Sequence, residues 1–392
     1  MNLSIKIDNL LKHFVDTGPK GCGAVVMHHG EKIYEGYAGY ADEENGIKVS
    51  DNTYFRYYSC TKVFTVISLM QLYEQGKFLL NDPIEKYLPE FSNPKVYEAT
   101  ANGVLSVRAA KRSVTIKDLL SMQSGLTYEG RANQTETDIN DMSDRLRKTN
   151  GFTCREHVKE LSKIPLLFDP GEGFYYGYSH DIIGALIEVL SGLSLSEYMR
   201  KNIFEPLKLN HICFFKEEIN NGNIASLYTW DTDKKLIPTN DYDWQFTKSN
   251  KWESAGSGIL ASVHDVAKFA SALAMGGTLN GIQIIGRKTI DLISTNQLSG
   301  KSKKDFMRTW DNGWEFLRGY GYGLGVRTLI EPEEGGVNSS IGEFGWGGMA
   351  GTYILADPKE EISISYAHQI VPNNMEGYCH PRLKQCVYSN LK

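Results

Sequence analysis

The chain has 392 residues, of which 41% are hydrophobic and 23% are charged, and its formal net charge at pH 7 is −5. This composition is typical of a folded globular protein and excludes a largely disordered chain, because disorder goes with low hydrophobicity and a large charge excess. The modest negative charge and the lack of a long basic stretch argue against a nucleic-acid partner.

The cellular compartment is predicted from the N-terminal segment and the cysteines. The segment MNLSIKIDNLLKHF places Lys6 and Lys12 where a signal peptide needs an apolar stretch, and nowhere do 18 apolar residues run together. Six cysteines without CxxC spacing are expected to be reduced thiols, and Cys379, His380 and Cys386 are more typical of a C-terminal helix than of a metal site. We therefore predict a cytoplasmic protein with no membrane segment, no metal and no cofactor.

The predicted elements begin with a β-hairpin and change to a helix at Val63. Residues 22–40 read as two strands around a turn, and the helical period that follows ends at Gly76. Further helices are expected at 115–125, at 155–164, at 181–192 with Asp181 as the N-cap and Gly192 at the end, and at 261–277. Successive strands are expected at 321–330, 351–358 and 361–370.

This order predicts an α+β fold in which both ends of the chain build one antiparallel sheet flanked by helices. The predicted sheet domain comprises residues 1–62 and 250–392, and residues 63–249 form an inserted, mainly helical domain. The acidic, tyrosine-rich segment 228–253 is expected to form loops near a pocket mouth. A functional site is expected where the two domains meet.

A Ser-x-x-Lys pattern falls at that junction. The pattern occurs three times, as Ser59/Lys62, Ser92/Lys95 and Ser389/Lys392. Pro94 interrupts a helix in the second copy, and the third lies in the last four residues, where fraying is expected. Only the first copy can be rigid.

Two interpretations of Ser59 and Lys62 remain open from spacing alone. On a helix, residues three positions apart project together, so the lysine could take the serine proton if desolvation lowers its pKa. The helix N-terminus would then also direct backbone N–H groups at an oxyanion. The alternative is a serine that caps an ordinary helix.

The surrounding segment resembles class C β-lactamase-like serine hydrolases, which include penicillin-binding proteins, D-aminopeptidases and β-lactamase-like carboxylesterases. The resemblance begins at TYFRYYSCTKVF, residues 53–64, and continues, in the family's order, through LLSMQSGL at 119, DPGEGFYYGYSHDIIGALIEVLSG at 169, AGSGILASVHDVAKF at 255, YGYGLGVR at 320 and FGWGGMAGTYILADP at 344. It implies a β-lactamase/transpeptidase-like fold with Ser59 as nucleophile and Lys62 as its partner.

The resemblance also implies a tyrosine that exchanges protons with the lysine. In esterase-like members this tyrosine follows the proline of the Pro-Gly turn by six residues and precedes the helix glycine by eight. Counting from Pro170 and from Gly184 gives Tyr176 in both cases, with Tyr178 as the alternative or as a substrate contact. Gly177 stands where the family pattern usually has serine.

The third family motif corresponds to Trp346, Gly347 and Gly348. The cation that many relatives carry there is replaced by an indole, which favours neutral acyl esters over substrates with a carboxylate beside the reacting bond. The resemblance places the second oxyanion-hole N–H on Met349, opposite that of Ser59. Our candidates for substrate contacts are Trp346, Gly347, Gly348 and Tyr178.

The expected function is that of a serine hydrolase that forms an acyl-enzyme, with a carboxylesterase on small neutral acyl esters as the leading hypothesis. The alternatives are β-lactamase, DD-peptidase or D-aminopeptidase activity, or a penicillin- or peptidoglycan-binding protein without hydrolysis. The expected partner is a small-molecule ester, amide or lactam. The sequence leaves the oligomeric state and the acyl acceptor open.

Overall fold

The structure is a computed structural model that describes residues 2–99 and 105–391. Its α-helices are α1 Leu3–Thr17, α2 Thr61–Glu74, α3 Ile116–Leu120, α4 Gln134–Arg147, α5 Cys154–Leu161, α6 Ser179–Ser191, α7 Leu195–Met199, α8 Glu205–Leu207, α9 Val263–Ala274, α10 Arg287–Ile293, α11 Gly300–Arg308, α12 Pro332–Gly335 and α13 Glu376–Tyr388. Side-chain caps define many of the starts, as where Thr153 and Glu156 form a capping box at α5.

The strands are β1 Gly21–His28, β2 Glu31–Asp42, β3 Ile47–Lys48, β4 Thr53–Arg56, β5 Lys95–Ala99, β6 Leu105–Ala109, β7 Ile212–Cys213, β8 Asn223–Ile224, β9 Tyr228–Trp230, β10 Leu236–Pro238, β11 Leu260–Ala261, β12 Thr278–Leu279, β13 Ile282–Gln283, β14 Tyr320–Tyr322, β15 Arg327–Leu329, β16 Phe344–Gly347, β17 Tyr353–Asp357 and β18 Ile362–Ala367. A four-stranded sheet in the order β7-β11-β4-β8 supports the segment that leads into α2.

The main sheet joins the two ends of the chain. Its eight strands have the order β14-β15-β16-β17-β18-β1-β2-β3, and each adjacent pair is antiparallel. The first strand pairs with the last, with Val25 opposite Ser365. This arrangement confirms the predicted α+β fold with an antiparallel sheet flanked by helices.

Successive residues of the sheet face two different helical layers. Val25 belongs to the larger core, in which α9 packs across β1, β17 and β18, whereas Ala24 and Val26 belong to a second core formed with α1 and α13. Helix α2 lies inside the larger core against α6 and β16, and residues 61–72 are all buried. The sequence suggested an apolar face on this helix, but it is enclosed on every side.

Two element boundaries differ from the prediction near the candidate site. The stretch predicted as one strand at 321–330 is a hairpin of β14 and β15, with Gly325 at φ +75° in the connection. Only glycine adopts this φ readily, so the chain reverses there instead of continuing. The helix predicted at 115–125 ends at Leu120, because the following segment turns through Met122 at φ +56°.

The start of α6 also differs. The N-cap position is occupied by Tyr178, so Asp181 lies in the first helical turn and does not cap the helix. Its carboxylate instead accepts a hydrogen bond from Ser254 at 2.9 Å, which ties α6 to the segment before β11. Gly192 ends the helix at φ +75°, as predicted.

In the part of the chain that the structure describes, no single helix is long and apolar enough to cross a membrane, although one pair, Ser179–Ser191 with Leu195–Leu207, meets the length and composition requirement with a 72° bend.

Candidate active site

Ser59 lies in a strained turn between β4 and α2. The turn is a 3-10 helix, Tyr58–Cys60, and Tyr58 has φ +42°, which is rare for an aromatic residue and costs about 1–3 kcal/mol. Its surroundings hold it there, because the Tyr57 N–H donates to the Ile259 carbonyl at 2.9 Å and the Tyr58 ring packs edge-on against Phe246. The turn places Ser59 in the wall of a large cavity.

Lys62 is buried one turn further along and contacts Ser59 directly. Its Nζ lies 3.1 Å from the Ser59 hydroxyl, 2.9 Å from the Tyr128 hydroxyl and 2.8 Å from the Gly256 carbonyl oxygen. Burial lowers the pKa of Lys62 from 10.5 to about 7, although the nearby charge of Asp181 acts in the opposite direction. A substantial share of the amine is therefore neutral near pH 7.

The three partners of Lys62 determine how a neutral amine must bond. An ammonium donates three hydrogens, one to each oxygen, whereas a neutral amine has two hydrogens and one lone pair. The Gly256 carbonyl can only accept, so the lone pair must receive a hydrogen from the hydroxyl of Ser59 or of Tyr128. If Ser59 is the donor, its hydroxyl proton points at the Lys62 nitrogen, which could remove it.

Tyr176 completes this group from the loop before α6. Its hydroxyl accepts a hydrogen bond from Trp346 Nε1 at 2.8 Å, and the neighbouring Ser59 hydroxyl acts to lower its pKa. Its ring lies 4.8 Å from Lys62 Nζ and stacks on the Trp346 indole with centroids 5.3 Å apart. Burial raises the pKa of Tyr176 well above its ordinary value, so the phenol keeps its proton at neutral pH.

Tyr178, the alternative tyrosine, has different partners. Its hydroxyl donates to Glu129 at 2.7 Å, and that carboxylate is paired with Arg147 at 2.9 Å. Tyr178 therefore lines the cavity beside a surface ion pair, whereas Tyr176 lies beside Ser59 and over Lys62 Nζ. This arrangement favours Tyr176, which was located by counting from Pro170 and Gly184, over Tyr178.

Two further residues of this group, Tyr128 and Asp181, were not predicted from the sequence. Tyr128 follows the quoted segment LLSMQSGL by two positions, and that proximity is the only sequence signal for it. Asp181 is buried behind Gly256, and burial raises its pKa to about 6 while Lys62 acts to lower it. A Cβ at Gly256 would lie 2.8 Å from Asp181 Oδ2 and 3.6 Å from Lys62 Nζ, so the position has no room for a side chain.

The glycine-rich turn after β16 lies against the turn that carries Ser59. A Cβ on Gly348 would lie 2.4 Å from the Tyr57 carbonyl oxygen, and the Thr352 hydroxyl donates to that same oxygen at 2.9 Å. Met349, the predicted oxyanion-hole residue, follows in this turn, and within residues 2–99 and 105–391 its N–H has no hydrogen-bond acceptor. Its side chain and Gly347 line the cavity.

Trp346 lines the cavity, and its indole N–H donates to Tyr176 and is therefore not available to a substrate. The side chain is only 4% exposed and packs on Trp314 as well. Trp346 is therefore placed to orient the phenol and to form an apolar wall.

The cavity has a volume of about 980 Å³, which is at the upper end for small-molecule sites. Its chamber around Ser59 is rich in aromatic side chains, namely Tyr128, Tyr176, Tyr242, Trp244, Trp252, Trp314 and Trp346. The segment 228–253 supplies Tyr242, Trp244 and Trp252 to this wall, as expected for its position, but its first part is a hairpin of β9 and β10 and not a loop. The cavity continues past Gly347 to Glu376, His380 and Lys384 of α13, and we call this part the second chamber.

The other two Ser-x-x-Lys copies are not arranged in this way. Ser92 ends a short 3-10 helix, and Lys95 begins β5. Ser389 follows the end of α13, while Lys392 lies outside the described residues. Among the described residues, no three His, Cys, Asp or Glu side chains are grouped so as to hold a metal ion.

Comparisons with known proteins agree with this architecture. Esterase EstB of Burkholderia gladioli is 26% identical over 392 residues, covering 94% of this chain and 91% of the relative. The structure of simvastatin synthase (LovD) from Aspergillus terreus matches with a TM-score of 0.84 at 19% identity, covering 100% of this chain and 99% of that one. The structure of EstCE1, described as a hydrolase with promiscuous acyltransferase activity, matches with a TM-score of 0.79 at 24% identity, covering 98% of both chains.

The two structural likenesses show the fold, and the family is shown by a match along the chain. The family model described as Beta-lactamase matches residues 7–387, which include every residue of the candidate site. This protein belongs to the beta-lactamase family of serine hydrolases.

Proposed function

We propose that this protein is a serine carboxylesterase that acts on small acyl esters through an acyl-enzyme. The observation that carries the proposal is the contact of a buried lysine, with a pKa lowered to about 7, to the hydroxyl of Ser59 at 3.1 Å. A nucleophile within reach of a base that is partly neutral at working pH is the arrangement that acyl transfer needs.

In the proposed mechanism, Ser59 Oγ attacks the ester carbonyl carbon while neutral Lys62 takes the hydroxyl proton. The N–H groups of Ser59 and Met349 stabilise the oxyanion. The proton then passes to the alkoxide that leaves, through the Lys62 amine and the Tyr176 phenol, and the acyl group stays on Ser59. Water releases the acyl group by the same steps in reverse, with Lys62 again accepting a proton.

Esters are preferred to lactams in this proposal for two reasons. Trp346 stands where many relatives carry a cation, and its indole N–H is occupied by Tyr176, so a carboxylate beside the reacting bond would find no partner there. The relative EstB is named an esterase, and its similarity covers 94% of this chain. Both observations support an esterase over a β-lactamase or DD-peptidase.

The test is hydrolysis of p-nitrophenyl butyrate by the wild type, Ser59→Ala and Ser92→Ala. Ser92 belongs to the second Ser-x-x-Lys copy and lies outside the cavity, so it is a matched control. We expect Ser59→Ala to lose at least about 10⁴-fold in kcat and Ser92→Ala to match the wild type. Equal rates for the wild type and Ser59→Ala would remove Ser59 from the mechanism.

The alternatives are separated by two further measurements. Faster turnover of a chromogenic cephalosporin than of any ester would favour a β-lactamase or peptidase. Covalent labelling of Ser59 by penicillin, detected by intact mass, without turnover of any ester, amide or lactam would favour a binding protein.

A further inference from the structure

The second chamber of the cavity is lined by buried charges that the proposed mechanism does not use. It lies between β14–β17 and α13, and the residues that form it include Tyr320, Arg327, Tyr353, Glu376, His380 and Lys384. Arg327 and Lys384 are each only 3% exposed. Two buried cations in one chamber are costly unless anions compensate them.

One carboxylate serves both cations. Glu343 is fully buried, with Arg327 Nη2 at 3.5 Å from one of its oxygens and Lys384 Nζ at 3.3 Å from the other. Although burial alone would raise the pKa of Glu343, Lys384 and Arg327 hold it below its ordinary value, so it carries one negative charge. Among these three paired groups, the cations therefore exceed the anion by one. A further buried carboxylate, that of Asp357, accepts hydrogen bonds from the Tyr388 hydroxyl and the Ser340 N–H and, among the described residues, forms an ion pair with neither cation.

The remaining ionisable groups of the chamber do not remove this excess. Glu376 lies at the neck against Gly347, and burial raises its pKa to about 8, so it is largely protonated at pH 7. Burial lowers the pKa of His380 well below its ordinary value, so its ring is neutral. Glu315 lines the rim and is exposed to solvent, where its charge is screened.

The hydrogen-bonding capacity of the two cations is also incompletely used. Arg327 lies between the rings of Tyr320 and Tyr353, and its bonds to the Ile354 carbonyl are long, at 3.3 and 3.4 Å. Among the described residues, Lys384 donates only to Tyr320 and Glu343, which leaves one of its three hydrogens. A buried site with spare donors and one excess positive charge suits a carboxylate.

We propose that this chamber binds a carboxylate at the far end of the ester substrate, with Arg327 and Lys384 as its partners. The inference rests on the proposed esterase function and modifies the sequence-based expectation of a neutral ester. The reacting carbonyl of the ester would lie near Trp346, where there is no cation. The far end of the ester would extend past Gly347 to the two cations, Arg327 and Lys384. The substrate class is then an ester whose acyl or alcohol part ends in an anionic group.

The test compares matched esters in kcat/KM. On the acyl side, p-nitrophenyl hydrogen adipate is compared with its methyl ester, and on the alcohol side, 4-butyryloxybenzoate is compared with its methyl ester. We expect the charged member of at least one pair to be preferred about tenfold by the wild type. Lys384→Met and Arg327→Met each leave a balanced pair with Glu343 and should abolish that preference.

Arg382→Met is the matched control, because Arg382 lies on the same helix but is exposed. It should retain the wild-type ratio. A wild type that favours neither charged ester, or a preference that survives in both Lys384→Met and Arg327→Met, would overturn the inference. If either variant does not fold, inhibition of the wild type is measured instead. Inhibition by monomethyl adipate but not by dimethyl adipate would support the inference, and equal inhibition by both would overturn it.

Failure of the proposed function gives a different result. If the wild type hydrolyses no ester, the esterase proposal fails, and calorimetric binding of monomethyl adipate still tests the chamber. If the neutral and the charged esters are hydrolysed with equal kcat/KM, the esterase proposal stands and the chamber proposal fails.

Discussion

Two buried lysines, one beside Ser59 and one in the second chamber, have contrasting surroundings. Lys62 is 0% exposed and its hydrogen-bond partners are two hydroxyls and one carbonyl, all neutral. Lys384 is 3% exposed and its partners are the Tyr320 hydroxyl and the Glu343 carboxylate. Burial is almost equal, so the difference in chemistry comes from the partners.

Neutral oxygens and a carboxylate act oppositely on a buried amine. Oxygen dipoles stabilise an ammonium less than water does, so Lys62 can release its proton near neutral pH. Lys384 instead pairs with the Glu343 carboxylate at 3.3 Å. The first lysine is suited to move a proton, and the second to hold an anion.

The largest expected effect comes from replacing Lys62 by arginine. Lys62→Arg keeps a positive charge but cannot supply a neutral base, since the guanidinium pKa exceeds about 12. We expect kcat for p-nitrophenyl butyrate to fall by about 10³-fold or more. Activity within about tenfold of the wild type would show that the charge of Lys62 matters and its proton transfer does not.

Glu343→Gln removes the carboxylate from the charged cluster around Lys384. This change leaves Arg327 and Lys384 together without a carboxylate, and we expect the free energy of unfolding to fall by about 3 kcal/mol. Chemical denaturation measures it, with Glu331→Gln as the control, because Glu331 pairs with Lys303 at the surface. An equal, small loss in both variants would mean that the cluster is not electrostatically coupled.

The assignment of the proton-transfer role to Tyr176 and not to Tyr178 can be tested with two variants. Tyr176→Phe removes the hydroxyl that Trp346 holds beside Ser59, and we expect kcat to fall by about 10²-fold. Tyr178→Phe removes a bond to Glu129 and should have a smaller effect on kcat. The reverse order of the two losses would return the role to Tyr178.

The smallest expected effect is a shift of the pH profile. The neutral form of Lys62 is the active base, so kcat/KM should rise with pH through a pKa of about 7. The negative charge of Asp181 raises the Lys62 pKa, so Asp181→Asn should move this limb to lower pH by roughly one unit. The control is Asp144→Asn on the exposed face of α4, which should leave the pH profile unchanged. A pH profile that does not shift in Asp181→Asn would show that Asp181 does not influence the pKa of Lys62.

The sequence was sufficient for the fold and for the residues that adjoin one another along the chain. Ser59 and Lys62 share one helical turn, and Tyr176 could be located by counting from Pro170 and Gly184. Their roles, and the domain boundaries after residues 62 and 249, stay predictions. The sequence also predicted that both chain ends build one sheet, whereas the order of its strands came from the structure.

Tertiary contacts supplied what the sequence could not. Tyr128 and Asp181 reach Lys62 from segments 66 and 119 positions away, and no periodic pattern marks either. The β14–β15 hairpin was misread as one strand because glycines are the only turn-forming residues in the stretch 321–330. The charged chamber joins Arg327 and Lys384 from a strand and a helix whose sequences show nothing unusual.

The pairing of β1 with β18 has a consequence for the order of folding. Residues 23–28 pair with residues 362–367. The main sheet, which includes β16 with Trp346, is therefore complete only when segments from both ends of the chain have come together. Contacts of such long sequence separation slow folding, and large chains of this kind pass through partly formed intermediates. During refolding, ester hydrolysis should therefore be among the last signals to recover, after helical circular dichroism has returned.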